Sequence, residues 1–589
     1  MSRAVPRSRK VLALAAGAAA LAGPLTLATP ASGAEAPYSV TPLRFTVEAG
    51  GRSCVVDADL YRPAGVDAAH PAPAVLATNG FGGSKSDGST DAIGKAFAER
   101  GYVGLVYSGL GFGKSGCLIS LDDPEIDGRA AARLVDFLAG ARAADDGTRA
   151  DFVTRDGAGD PRVGMIGGSY GGAVQLAAAS VDPRIDALVP LITWNDLAYS
   201  LAPNAADRAT PGVFKWQWAN GFYLMGEGQP LLVPSLDPSR INSLRCLHFV
   251  TDACDTVRLL NSGRYPKAET EKMLAYARSV SPVSYIDRIT APTLIVQGQA
   301  DTLFNLNEAR ATYEQLRERG VDTRMIWQSW GHSGGQKPGE LDLAQGNLEG
   351  SHVGQRILGW FDRYLRKNPA ADTGPAFAWY RDGQSGYGTA ARVPALSQRL
   401  YLSGDGKLVD NRTKVARGSR TYSNWLFPTS HSEFSLAGTI GLPDPRPYDT
   451  AGTYLGWTSA PLTAPVDLVG APRATLKVDS PAAERVQGSG DAADKLVLFA
   501  KLYDIAPDGT KTLVNRLVAP VRVPDVTRPF TVELPAVVHR YETGHRLELV
   551  IAGSDTAYSG NRGIKPVTVV SAPGNPGTLE LPLVQGRVG

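Results

Sequence analysis

Arg162-Val163-Gly164-Met165-Ile166-Gly167-Gly168-Ser169-Tyr170-Gly171-Gly172-Ala173-Val174-Gln175-Leu176 is the stretch whose reading decides the fold. Val163 to Ile166 form a short apolar run suited to a buried strand, and the Ala-rich run from Ala173 suits a helix. Between them stands Gly-x-Ser-x-Gly, so a serine sits on a tight turn between strand and helix. Such a turn leaves a hydroxyl exposed at the end of a sheet, the arrangement of a nucleophile elbow. The same pattern recurs at Gly331-His332-Ser333-Gly334-Gly335. There the following Gln336-Lys337-Pro338-Gly339 starts no helix, and Ser333 reads as a bystander.

Working outward, apolar runs at 74–78, 102–107, 163–167, 188–193 and 293–297 read as strands, and 91–100 and 128–142 read as helices. Alternation of this kind implies a mainly parallel sheet covered by helices, an α/β architecture. The catalytic domain is expected over 37–370. Between about 194 and 287 the rhythm breaks into an aromatic insertion, placed as a cap over the strand ends, where open α/β sheets bind ligands. From 374 to 589 short strands alternate with turns such as Pro507-Asp508-Gly509, the pattern of an all-β sandwich or jelly roll.

A serine becomes a nucleophile when a base takes its proton and donors receive the oxyanion. In this fold the order along the chain is serine, acid, histidine. Asp301 ends the strand-like run from Pro292, one helix (308–319) and one strand (323–327) before His332. Of seven histidines, His70 and His248 precede Asp301, His352 is set in a helix, and three fall in the β-rich tail. His332, on a glycine-flanked loop, is the expected base. The expected oxyanion donors are the amides of Tyr170 and Phe81, the latter in the glycine-rich loop Asn79-Gly80-Phe81-Gly82-Gly83. Trp194, Phe214, Trp216, Trp218, Phe222 and Tyr223 are candidates for a substrate pocket under the cap, or for the cap's own small core.

Arg3, Arg7, Arg9 and Lys10 precede an apolar run to about Ala28, followed by small residues at Ala31-Ser32-Gly33-Ala34. This reads as an export signal over 1–34 rather than a retained anchor. The chain has 60 basic and 58 acidic residues, and loss of the leader would remove four of the basic ones. That balance argues against nucleic acid as a partner. Four cysteines suit an exported protein. The close pair Cys246 and Cys254 is expected to close a small loop, leaving Cys54 with Cys117, one of three possible pairings. No C-x-x-C or histidine cluster suggests a metal. Gly113-Lys114-Ser115 lacks the earlier glycine of a phosphate-binding loop, because that position is Ser108. No cofactor and no metal are expected, and the expected partner is a small peptide or ester substrate.

Several motifs together resemble the X-prolyl dipeptidyl-peptidase family of serine hydrolases, which includes cocaine esterase. They are Arg100-Gly101-Tyr102-Val103, the glycine-rich run 109–116, the stretch 162–172, the strand ending at Asp301, and Phe499-Ala500-Lys501-Leu502-Tyr503-Asp504 with Gly544-His545-Arg546-Leu547. The resemblance implies an α/β-hydrolase fold with a helical cap, a C-terminal jelly roll, and hydrolysis through an acyl-enzyme on Ser169, Asp301 and His332. It makes an X-prolyl dipeptidyl-peptidase the first expectation and a carboxylic ester hydrolase the alternative. A catalytically inactive carbohydrate- or cell-wall-binding protein is the reading of another class. Two departures stand out. Tyr107-Ser108-Gly109-Leu110-Gly111 replaces an Asp-x-Arg-Gly-like turn, and Phe81 stands where esterase-like members place a tyrosine hydroxyl, a donor that phenylalanine lacks.

Overall fold

The structure, a computed structural model, describes residues 37–229, 237–384, 386–435 and 443–589. The expected leader lies outside them. Ten strands make the central sheet: β1 (Tyr38–Ala49), β2 (Arg52–Pro63), β3 (Ala74–Thr78), β4 (Val103–Tyr107), β5 (Val163–Gly168), β6 (Ile185–Leu191), β7 (Thr293–Gly298), β8 (Thr323–Gln328), β9 (Phe377–Tyr380) and β10 (Tyr387–Ala390). Their order is β1-β2-β4-β3-β5-β6-β7-β8-β9-β10. From β4 to β9 every pairing is parallel, while β1, β2 and β10 add antiparallel edges.

The inner strands are mostly apolar because both faces of the sheet are covered. Alternate side chains feed two cores. Leu76, Leu105 and Met165 join one with Leu134 and Leu176, from the helices Arg129–Leu138 and Tyr170–Val181. Val75, Val106 and Ile166 join the other with Phe97 and Trp360, from Gly88–Ala98 and His352–Tyr364. Two helical layers therefore hold the sheet rigid, and its strand ends carry the site. Cys54 of β2 is bonded to Cys117, which ties the antiparallel edge to the loop after β4.

Between β6 and β7 the chain forms the helices Leu197–Leu201, Trp216–Gly228, Thr251–Asn261 and Lys267–Ser279. The second disulfide, Cys246–Cys254, closes a loop within this insertion.

The tail is all-β with antiparallel sheets, among them a five-stranded sheet built around Gln398–Leu402 and Gly577–Leu581 and a four-stranded sheet around Val497–Ile505 and Arg546–Ala552. Leu400, Leu476, Leu498, Leu549 and Leu579 share its core. The expected change of texture at 370–374 falls before β9 and β10, which join the central sheet. Phe377 of β9 packs edge-on against Trp327 of β8, with ring centroids 4.7 Å apart, so this aromatic strand is recruited by the core of the central sheet. The tail's own sheets begin at Gln398. Among the described residues no helix is long and apolar enough to cross a membrane.

Candidate active site

Ser169 connects β5 to the helix Tyr170–Val181 with φ 56° and ψ −117°, a left-handed conformation that a side-chain-bearing residue adopts only when its surroundings enforce it. Its amide donates to the Leu191 carbonyl at 2.9 Å. The neighbouring glycine is required by close approach: a Cβ on Gly171 would lie 2.5 Å from the Thr78 carbonyl oxygen. The helix thus starts hard against the end of β3, and the loop 79–83 begins beside the serine.

Asp301 follows β7 and is fully buried. Its Oδ1 accepts from the amides of Leu303 at 3.1 Å and Phe304 at 2.7 Å. Its Oδ2 faces His332 Nδ1 at 2.7 Å. A Cβ on Gly331 would lie 2.6 Å from the Asp301 Cβ, so glycine before the histidine lets the two loops meet. His332 Nε2 is 2.9 Å from Ser169 Oγ. The carboxylate fixes Nδ1 as the protonated nitrogen and leaves Nε2 to accept from the serine hydroxyl. The three side chains chosen from the sequence are joined in one hydrogen-bonded line.

Tyr170 is the first residue of its helix, so its amide has no carbonyl four residues back and is free to face an oxyanion. Gly80 lies beside this turn: a Cβ there would be 3.7 Å from the Gly168 carbonyl. The Phe81 ring turns into an aromatic cluster, 5.1 Å from Phe112, 5.6 Å from Tyr170 and 5.2 Å from Phe222. Its side chain offers no donor, and only its backbone can serve the serine.

Beside this cluster lies an apolar cavity walled by Phe81, Phe222 and Phe249, with Ala219, Ala253 and Ala277 making the room. None of the three tryptophans proposed for a pocket is among its lining residues. Trp218 stacks behind Phe222 at 5.5 Å, and Trp194 packs between Tyr170 and Phe304. Trp216 is 43% exposed and donates from its indole to the Thr556 carbonyl. Ala219, Phe222 and Tyr223 mark the cavity face of this helix. Trp216 lies three positions before Ala219 yet turns toward the β-rich tail, because its indole finds a carbonyl there.

Sequence reading missed the second layer of groups. Lys215, buried, donates to the carbonyls of Thr302 at 2.6 Å and Leu303 at 2.9 Å, next to Asp301. Burial lowers its ammonium to about 8, against the attraction of Glu433 and Asp301. Glu433, from the tail, reaches Thr302, and burial raises its carboxyl. Below the elbow, Asp122 is buried and its amide donates to Tyr170 Oη at 3.2 Å. Glu227, Cys246 and Cys254 cluster at metal-ligand spacing, but the two sulfurs are bonded to each other, which removes them as ligands.

Known proteins share this architecture. The family model of the X-Pro dipeptidyl-peptidase (S15 family) matches residues 51–334, and that of the X-Pro dipeptidyl-peptidase C-terminal non-catalytic domain matches 368–565. The chain belongs to this family of serine hydrolases. Relatives provisionally named serine esterases, from Mycobacterium bovis and Mycobacterium tuberculosis, are 23% identical over 282 residues, which is 40% of this chain. The chain matches only 41% of the length of these curated relatives. Among solved structures, an α-amino acid ester hydrolase is similar with a TM-score of 0.64 and 17% identity over 94% of this chain and 98% of that one. An aminopeptidase from a Thaumarchaeota archaeon gives 0.63 and 14% over 95% and 99%. A CocE/NonD family hydrolase from Staphylococcus aureus gives 0.59 and 14% over 94% and 97%. At these identities the likeness establishes the shared α/β-hydrolase and all-β architecture.

Proposed function

We propose that this S15-family protein is an exported carboxylic ester hydrolase that works through an acyl-enzyme. In this mechanism Ser169 Oγ attacks the ester carbonyl while His332 Nε2 takes its proton, and Asp301 stabilises the imidazolium. The Tyr170 and Phe81 amides receive the oxyanion. His332 then protonates the leaving alcohol, and a water activated by the same nitrogen releases the acid.

The observation that carries the choice of ester is the apolar cavity that opens from Phe81, the expected oxyanion residue, into the cap. Among the described residues no charged side chain lines it. A dipeptidyl-peptidase must hold its substrate's terminal ammonium, and an unpaired carboxylate would do so. Three cap carboxylates available for that role are engaged: Asp196 caps the helix Leu197–Leu201 and pairs with Arg278. Asp207 accepts from Ala209 and Thr210, and Glu227 accepts from the Leu247 amide. An apolar acyl group fits such walls better than a charged amine. Export is supported by the leader-like first 34 residues and by the two disulfides. Small esters are the proposed partners, with no part for nucleic acid.

The test is hydrolysis of a nitrophenyl ester and of a Gly-Pro chromogenic anilide by the mature protein, with Ser169→Ala beside it. Ester turnover lost in the variant, with the anilide untouched, is the expected result. Anilide turnover would make the protein an X-prolyl dipeptidyl-peptidase. Failure with both substrates, and no labelling of Ser169 by a fluorophosphonate, would return the inactive binding-protein reading.

A further inference from the structure

We propose that Glu433, supplied by the C-terminal all-β portion, is a positioning residue that holds the acid loop and the histidine loop of the active site in register. The inference rests on the serine-hydrolase reading of Ser169, Asp301 and His332.

Glu433 is 4% exposed. Its Oε2 accepts from Thr302 Oγ1 at 2.6 Å, and its Oε1 accepts from Ser435 Oγ at 2.7 Å and from the Trp218 indole at 3.2 Å. Burial works to raise this carboxyl, and the hydrogen bonds from Thr302 and Ser435 work the other way, toward an ionised, acceptor-only group. The buried Lys215 ammonium nearby offsets its charge.

What makes this more than a stabilising contact is where the donors stand. Thr302 immediately follows Asp301. Its hydroxyl lies 2.5 Å from Ser333 Oγ, and Ser333 immediately follows His332. The Thr302 hydroxyl has one hydrogen. With that hydrogen committed to the carboxylate, the Ser333 hydroxyl must be the donor to Thr302 Oγ1, and the Trp218 indole also points at that oxygen from 3.1 Å. Trp218 in turn stands edge-on to the His332 ring, centroids 6.1 Å apart at 82°. A single carboxylate therefore orders the residue after the acid, the residue after the base, and an aromatic wall of the base. Ser333, a bystander as a nucleophile, becomes the anchor of the histidine loop. Glu433 touches neither substrate nor reacting atoms, so its action is on geometry alone, and a small misplacement of a catalytic pair costs rate more than binding.

The experiment is steady-state ester hydrolysis by the full mature chain carrying Glu433→Gln, Thr302→Val, Thr302→Ser or the double change Glu433→Gln/Thr302→Val. Fluorophosphonate labelling of Ser169 in the unmodified protein first establishes the parent reading independently. Glu433→Gln is expected to lower kcat about tenfold with KM within about twofold, and Thr302→Val to do the same. The double variant should be no slower than either single one, because both break the same chain. Thr302→Ser, which keeps the hydroxyl, should recover most of the rate lost in Thr302→Val. If Glu433→Gln leaves a buried lysine uncompensated and fails to fold, the Val and Ser variants at 302 decide. Unchanged kcat in Glu433→Gln, multiplicative losses in the double variant, or equal rates for Val and Ser at 302 would overturn the proposal while leaving the hydrolase reading intact.

Discussion

Phe304 stands edge-on to His332, ring centroids 5.2 Å apart at 90°, while its own amide donates to Asp301 at 2.7 Å. One residue thus holds the acid from its backbone and walls the base with its side chain. Phe304→Ala keeps the amide but opens the space beside the imidazole. It should lower kcat/KM at least tenfold, by about 1.4 kcal/mol or more, and cost about 3 kcal/mol of folding stability as a buried ring is lost. Ester kinetics and urea unfolding on the same samples check this. Wild-type kinetics in a destabilised variant would show that the ring packs without orienting the base.

Asp301→Asn tests the acid more sharply. The amide can still accept from the Leu303 and Phe304 backbone, so the loop should persist. If its NH2 group faces His332, the imidazole must present Nδ1 as acceptor and carry its proton on Nε2, where it cannot take one from Ser169. A loss of about 10⁴ in kcat is expected with little change in KM. Fluorophosphonate labelling should slow in parallel. A variant within tenfold of the parent would mean that another group orients His332.

The parallel strands from β3 to β8 and the residues of the hydrogen-bonded line are legible in the sequence for the same reason: both are local. β3, β5, β7 and β8 are largely buried on both faces, so each centres on a short apolar run, and Ser169, Asp301 and His332 each follow within a few residues of such a strand. The hairpin of β1 and β2 was not singled out. β1 alternates buried and exposed residues and carries no motif to mark it. Strands β9 and β10 fall within the expected tail because the chain's texture changes before them, and nothing local says that Phe377 will meet Trp327. Glu433 lies 131 residues from Thr302, and only the docking of the β-rich tail creates their contact. Trp216 and Trp218 look equivalent in sequence, yet one packs beside His332 and the other reaches Thr556.

The cavity makes a prediction about acyl groups. Its room comes from small residues, Ala198, Ala219, Ala253 and Ala277, on facing cap helices. Ala277→Leu should fill it. Turnover of a benzoyl ester should fall at least tenfold relative to an acetyl ester, with acetyl turnover within about threefold of the parent and a packing cost of about 1–3 kcal/mol. A ratio of benzoyl to acetyl turnover that does not move would place the acyl group elsewhere.

Two buried carboxyls behind the elbow tie stability to pH. Asp127 is 3% exposed and accepts from Ser120 Oγ at 2.5 Å, yet burial raises its carboxyl to about 7. Asp122, buried with both carboxyl oxygens unpartnered among the described residues, is raised further, by burial and then by the charge of Asp127. A carboxyl raised on folding binds its proton more tightly in the native state. Its contribution is therefore complete below the unfolded value of about 3.9 and is lost as pH rises through about 7. Asp127→Asn keeps an acceptor for Ser120 and cannot ionise. Relative to the parent, the Asn variant should therefore gain stability between pH 5 and pH 8, because up to about pH 7 the unfolded parent is ionised and must take up a proton to fold, and above that the folded carboxyl carries a buried charge. Urea midpoints for both proteins at the two pH values measure the difference directly. An unchanged gap between them would mean that Asp127 is already ionised at pH 5, and that the Ser120 hydroxyl outweighs the cost of burial.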